Sequence, residues 1–182
     1  MINLSKGAKE VFIKASSALT AVTTVLSLSG VLLVPVASAV APADYGLKEG
    51  DVVSAAGSDD PDVYIVNEWG YKRLFLNPVI FGFYGHLGGF NKVKTTTSTT
   101  RDTLVTSGLF RNCETNDPKV YGVETTGEDT GILHWVNTSG TQAVSDDPNF
   151  FKKVFCINTN EFNWYSKGSN YNSVNQVPDY MR

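Results

Sequence analysis

"DDPDVYIVNEWGYKRLFLNP", residues 59–78, is nearly restated by "NDPKVYGVETTGEDTGILHWVNT", residues 116–138. Asp60-Pro61, Val63-Tyr64 and Val66 recur 57 residues later as Asp117-Pro118, Val120-Tyr121 and Val123. Beyond a turn containing Gly70 or Gly127, Phe75-Leu76-Asn77 is answered by Trp135-Val136-Asn137 at an offset of 60. Lys92-Val93 is answered by Lys153-Val154 at an offset of 61. Preserved order with small insertions marks a duplicated structural unit.

Each copy reads as a hairpin first. "DVYIVN" and "KRLFLN" are β-branched and aromatic runs joined by the glycine-bearing turn "EWGY", and "KVYGVE" and "GILHWVN" flank "TTGEDT". Asn77-Pro78 then starts a short helix over "PVIFGFYG", with asparagine as cap and proline in the first turn. In the second copy Thr138 caps "SGTQAV" and Asp146-Asp147-Pro148 caps "NFFKK". Both copies return to a strand, "NKVKTTT" or "KVFCINT", and end in a polar segment of one or two helical turns. The expected fold is therefore α+β and β-rich: two tandem hairpin–short helix–strand–short helix repeats packed as one globular body behind an N-terminal apolar helix. The first repeat spans 51–112 and the second 113–170, with a linker at 40–50 and a polar C-terminal tail at 171–182. One such unit buries too little surface to stand comfortably alone.

The N-terminus sets the compartment. Lys6, Lys9 and Lys14 precede an uncharged stretch that runs to Asp44, and Pro35 stands just before Ala37-Ser38-Ala39. A basic start, an apolar centre and small residues at the cut describe a secretory signal peptide over 1–39. The rival readings are a retained anchor crossing the membrane through residues 15–43 and a pilin-like filament helix cut near Gly7. All three put the remaining chain outside the cytoplasm.

Charged residues make up only 18% of the chain, and residues 40–182 carry 12 basic against 17 acidic side chains. Such an acidic body repels phosphate backbones, which argues against a nucleic-acid partner. In an oxidising compartment Cys113 and Cys156 are expected to form a disulfide, contributing about 3 to 4 kcal/mol and fastening the two copies. The alternative is two buried thiols acting as small hydrophobes.

The words "DPKVY", "GYKRLFLNP" and "LHWV" resemble a repeat of exported, S-layer-like surface proteins of candidate-phylum bacteria of the Patescibacteria type. There a "VYYxGxDGKRYVFPN"-like phrase precedes a "DPKVYAV…LRWV" phrase, and the similarity covers roughly residues 48–168. The leader "SSALTAVTTVLSLSGVLL" is also similar. This chain departs from the pattern in "EWGYKRLFLNP" and in its cysteines. The resemblance implies an envelope location and a structural or adhesive role, with no catalytic residues to carry over.

The search for chemistry is mostly negative. There is no GxSxG elbow, HExxH pair or Walker loop. His86 lies near a helix C-terminus and His134 on the expected solvent face of a strand. No catalytic residue, cofactor or firm metal site is assigned. Calcium is the one metal considered, at the acidic loops of Asp59, Asp60, Asp62, Asp146 and Asp147, with Glu128 and Asp129 in the second turn. The plainer reading of these residues is caps and turns. Trp69 and Trp164 are candidates for stacking on a sugar, and Trp69 and Tyr171 are expected to be exposed. Asn137-Thr138-Ser139 fits a glycosylation sequon.

The sequence thus predicts a non-catalytic cell-envelope protein with a structural, surface-layer or assembly role. Its partners would be itself or other envelope proteins, met through strand edges and surface aromatics. The alternatives are a carbohydrate-binding or adhesion module, a membrane-anchored or filament subunit, and a hydrolase with an acidic dyad.

Overall fold

The computed structural model describes residues 40–56 and 62–179, all within the compact body Ser38–Arg182. The leader and its expected helix lie outside the described residues. No described helix is long and apolar enough to cross a membrane.

The chain is α+β, with two five-stranded mixed sheets and four short α-helices. The first half contains β1 (Val52–Ala55), β2 (Tyr64–Val66), β3 (Tyr71–Leu74), α1 (Pro78–Gly82), β4 (Lys94–Thr96), α2 (Ser98–Thr103) and β5 (Val105–Thr106). The second contains β6 (Leu109–Asn112), β7 (Tyr121–Thr125), β8 (Gly131–Trp135), α3 (Gly140–Asp146), β9 (Val154–Ile157), α4 (Thr159–Trp164) and β10 (Ser166–Lys167). The sheet orders are β4-β1-β2-β3-β5 and β9-β6-β7-β8-β10. In each sheet the first three strands are antiparallel neighbours and the two outer strands join in parallel.

Register makes the correspondence quantitative. Val53 faces Tyr64 as Phe110 faces Tyr121, an offset of 57. Tyr64 faces Leu74 as Tyr121 faces Trp135, and Val53 faces Lys94 as Phe110 faces Phe155. These later pairs share an offset of 61, so the four extra residues all lie in the second hairpin turn. The alignment of Phe75 with Trp135 is thereby corrected by one position: Trp135 matches Leu74, and Phe75 matches Val136.

Local chemistry explains the elements. The first hairpin turns because Asn67 Oδ1 accepts from the backbone N–H groups of both Trp69 and Tyr71, each at 3.0 Å, and Gly70 takes φ 82°. Asn77 Oδ1 accepts from Ile80 N at 3.0 Å, capping α1, which stops at Gly82 before a separate 3-10 turn at Gly85–Leu87. In the second half Ser139, rather than Thr138, caps α3, accepting from Gln142 N at 3.1 Å. Thr97 and Asn158 cap α2 and α4 in matching places.

Three expectations need correction. Each half opens with a strand, β1 or β6, that the hairpin-first reading lacks, so the second half begins at Leu109 rather than 113. The polar tail is not free: Val174 is buried against the second sheet, with Tyr171 and Val177 packed beside it. The Cys113–Cys156 disulfide exists (Cα–Cα 5.4 Å), but both cysteines belong to the second half, where they clip β6 to β9. What fastens the halves is a shared core, in which Phe75, Leu76, Ile80 and Tyr84 meet Phe110, Tyr121, Leu133 and Tyr165.

Candidate functional site

At the centre of the shared core Arg73 on β3 pairs with Glu161 on α4 at 2.8 Å, both within 1% of full burial. Tyr84 and Tyr165 donate hydroxyl hydrogen bonds to the same carboxylate, and Asn158 N donates to the Tyr84 oxygen at 3.1 Å. The Arg73 guanidinium lies 4.3 Å from the Phe75 ring centroid and 5.5 Å from that of Phe110. Burial acts to lower the Arg73 pKa, but Glu161 and the two tyrosines overcome it, and the net shift is upward. Burial likewise raises Tyr84, against the pull of Arg73. Arg73 Nε has no hydrogen-bond partner, alone among the buried side-chain polar atoms of the described residues. With no path to solvent, this cluster joins the halves and cannot meet a substrate. Breaking one side of such a pair strands a buried charge.

Two clefts lie in corresponding places of the two halves. The first, of about 300 Å³, is walled by Val63, Phe75, Phe81 and Phe90, with Asp62, Glu128 and Asp129 at its rim. The second, of about 200 Å³, is walled by Val120, Val136, Ala143 and Phe151, with Lys119 in the place of Asp62. Val63 and Val120 each accept from the strand opposite, at 2.9 Å from Phe75 N and from Val136 N. Phe81 and Ala143 are each the fourth residue of their helix. Phe90 opens the 3-10 turn into β4, Phe151 is the second residue of the 3-10 turn into β9, and they are 58% and 55% exposed. With Val79 on α1 and Val144 on α3, these two phenylalanines make four of the seven exposed large apolar side chains among the described residues. Phe90 and Phe151 are exposed at equivalent places in the two halves.

The clefts differ in one respect that the longer second turn explains. Glu128 and Asp129 come from the β7–β8 turn of the second half, and Asn77 Nδ2 donates to the Asp129 carbonyl at 3.1 Å. The four additional residues thus wall the first cleft and give it carboxylates. The second cleft is smaller and carries Lys119 instead.

The predicted site residues scatter. Asp59 and Asp60 lie outside the described residues, and Asp62 accepts from Tyr64 Oη at 3.2 Å. Asp146 accepts from Gln142 and Ser173, and Asp147 from Lys153 at 2.6 Å and Asn149 N at 2.9 Å. Among the described residues no group of three or more histidine, cysteine or acidic side chains is placed to hold a metal. Trp69 is 48% exposed on its turn, with Lys152 Nζ 5.2 Å over the ring. Trp164 is half-buried against Tyr165, ring centroids 5.3 Å apart, and no ring contact joins the two tryptophans. His86 is exposed on the Gly85–Leu87 turn. His134 is buried rather than solvent-facing, with Glu124 at Nε2, Ser169 O at Nδ1 and Tyr171 stacked 4.4 Å away. Tyr171, expected to be exposed, is the half-buried partner of that stack. The clefts were missed because their walls come from four separated segments per half; the recurring exposed Phe90 and Phe151 were the available signal. Comparison with models of known protein families, with curated proteins and with solved structures finds no match.

Proposed function

We propose that this chain is a non-catalytic, exported structural protein of the cell envelope, built from a tandem repeat and serving in a surface layer or its assembly. The observation that carries this reading is the pair of equivalent apolar clefts, each with an exposed phenylalanine at its lip. They suit holding an apolar side chain of a protein partner. The disulfide supports an oxidising compartment, and the basic, apolar leader supports export. The sheet edges offer less than the clefts, because β5 and β10 are two residues each. A sugar-binding reading through Trp69 and Trp164 has weaker support, since one ring is half-buried and the two make no contact.

The test is cell fractionation with intact mass of the native protein, with and without reductant. Export predicts recovery with the envelope, either lacking residues 1–39 or tethered by them, and a gain of two hydrogens on reduction. A full-length protein in the cytosol with free thiols would sink the proposal.

A further inference from the structure

We infer that the molecule assembles head to tail with copies of itself, the Phe151 knob of one copy entering the acid-rimmed first cleft of the next. This rests on the reading of the chain as a surface assembly subunit and names its partner.

Three observations converge on a second copy as the occupant. The first is shape: Phe151 projects from the second half at 55% exposure, and the neighbouring Lys152 places its Nζ 5.2 Å over the exposed Trp69 ring. The first cleft, walled by Phe75, Phe81 and Phe90, is an aromatic pocket deep enough to take such a ring. Edge-to-face packing of the kind already present between Phe81 and Phe90, centroids 4.8 Å apart, suits a third ring.

The second is charge. Exposed Lys119 and Lys152 flank the knob, and the nearby Asp147 is already bound to Lys153. The first cleft presents Asp62, Glu128 and Asp129, with Lys92 the basic side chain on its own 3-10 turn. Opposite signs at knob and cleft steer one to the other and disfavour knob-to-knob or cleft-to-cleft pairing.

The third is the asymmetry of the clefts. Phe90, the counterpart of Phe151, is itself a wall of the first cleft, so the lysine-flanked knob and the carboxylate-rimmed cleft lie in different halves of one molecule. Such a heterologous contact leaves a free knob at one end and a free cleft at the other, so it propagates into a chain of copies.

The experiment is sedimentation velocity of the native protein across concentration and salt, with two variants, Phe151→Asp at the knob and Glu128→Lys/Asp129→Lys at the cleft. All these side chains are exposed, and unchanged circular dichroism melts serve as the folding control. The native protein is expected to form oligomers larger than a dimer that shorten as salt screens the charges. Each variant alone is expected to weaken association by about tenfold or more. The two variants mixed are expected to stop at a one-to-one dimer, since each retains the surface the other lacks.

A native protein that stays monomeric at every concentration, or variants that assemble as it does, would overturn the inference. So would capture by purified wall glycan without self-association. An envelope protein that stays monomeric defeats this inference and leaves the proposed function standing; a cytosolic protein defeats the proposed function whatever its oligomeric state.

Discussion

Lys72 occupies the register position that Leu133 holds in the second sheet: each faces the third residue of the preceding strand, Val66 or Val123. It is 4% exposed, donates to the Leu104 carbonyl and lies 5.2 Å over the Tyr64 ring. Burial, partly opposed by Asp102, pulls its pKa from 10.5 down to about 8. An amine with a depressed folded pKa binds fewer protons folded than unfolded, so stability rises as pH climbs from about 8 towards 10.5. Below that window the buried charge is a standing penalty. Lys72→Leu should therefore stabilise the protein at pH 7 by about 1 to 3 kcal/mol, and the gain should shrink to near zero by pH 10.5. Urea melts of both proteins at matched pH check this. The comparison cancels the buried tyrosines, whose raised pKa values destabilise the fold above pH 10 in both. An advantage constant with pH would place the effect in packing rather than ionisation. Lysine in a strand signals solvent when read alone, and only the register with Leu133 reveals an inward position. The solvent-facing reading of His134 failed for the same reason: alternation sets the face but not what covers it.

The hairpins and the capped first helix were legible because their turn residues carry the signal: Asn67, Gly70 and Asn77 each make the hydrogen bond or dihedral their type favours. The opening strands were not. "VVSA" and "LFRN" share no residue, and each is fixed by two partners, the strand that follows it and one about 40 residues later. The two-residue strands β5 and β10 lie in polar segments that read as one or two helical turns. The register now makes a test at the level of these strands. Ala56 corresponds to Cys113 and Thr95 to Cys156, and Ala56 N donates to Thr96 O at 2.8 Å as Cys113 N donates to Ile157 O at 3.3 Å. The double variant Ala56→Cys/Thr95→Cys should form a second disulfide spontaneously on oxidation and add about 3 kcal/mol to stability. Mass spectrometry with and without reductant reads the bond, and thermal melting reads the gain. Thiols that remain free after oxidation would mean that β1 and β4 do not hold the spacing seen between β6 and β9.

Taken whole, the molecule is a stack of two units, and a stack leaves an open face at its end. The face of the first sheet that carries Arg73 and Phe75 receives Phe110, Tyr165 and Glu161 from the second half. The matching face of the second sheet carries His134 and Val136 and is covered differently. The C-terminal segment lies there instead. Tyr171 stacks on His134, Val174 is buried with Leu109 and Val136, and Val177 comes so near Gly122 that an added Cβ would meet it at 3.0 Å. A tail that reads as polar in the sequence thus covers this face with its few apolar residues. Ending the chain at Gly168 should expose this face, lower stability by about 2 to 4 kcal/mol, and raise the fluorescence of an apolar-surface dye before any unfolding. Gly122→Ala should lose about 1 to 2 kcal/mol of that by pushing Val177 away, while Gly85→Ala, in an exposed 3-10 turn with open space for a Cβ, serves as the control. A truncated protein that melts with the intact one, without added dye binding, would show that the second sheet's face needs no cover. The head-to-tail contact would then have to be sought on this face as well as at the clefts.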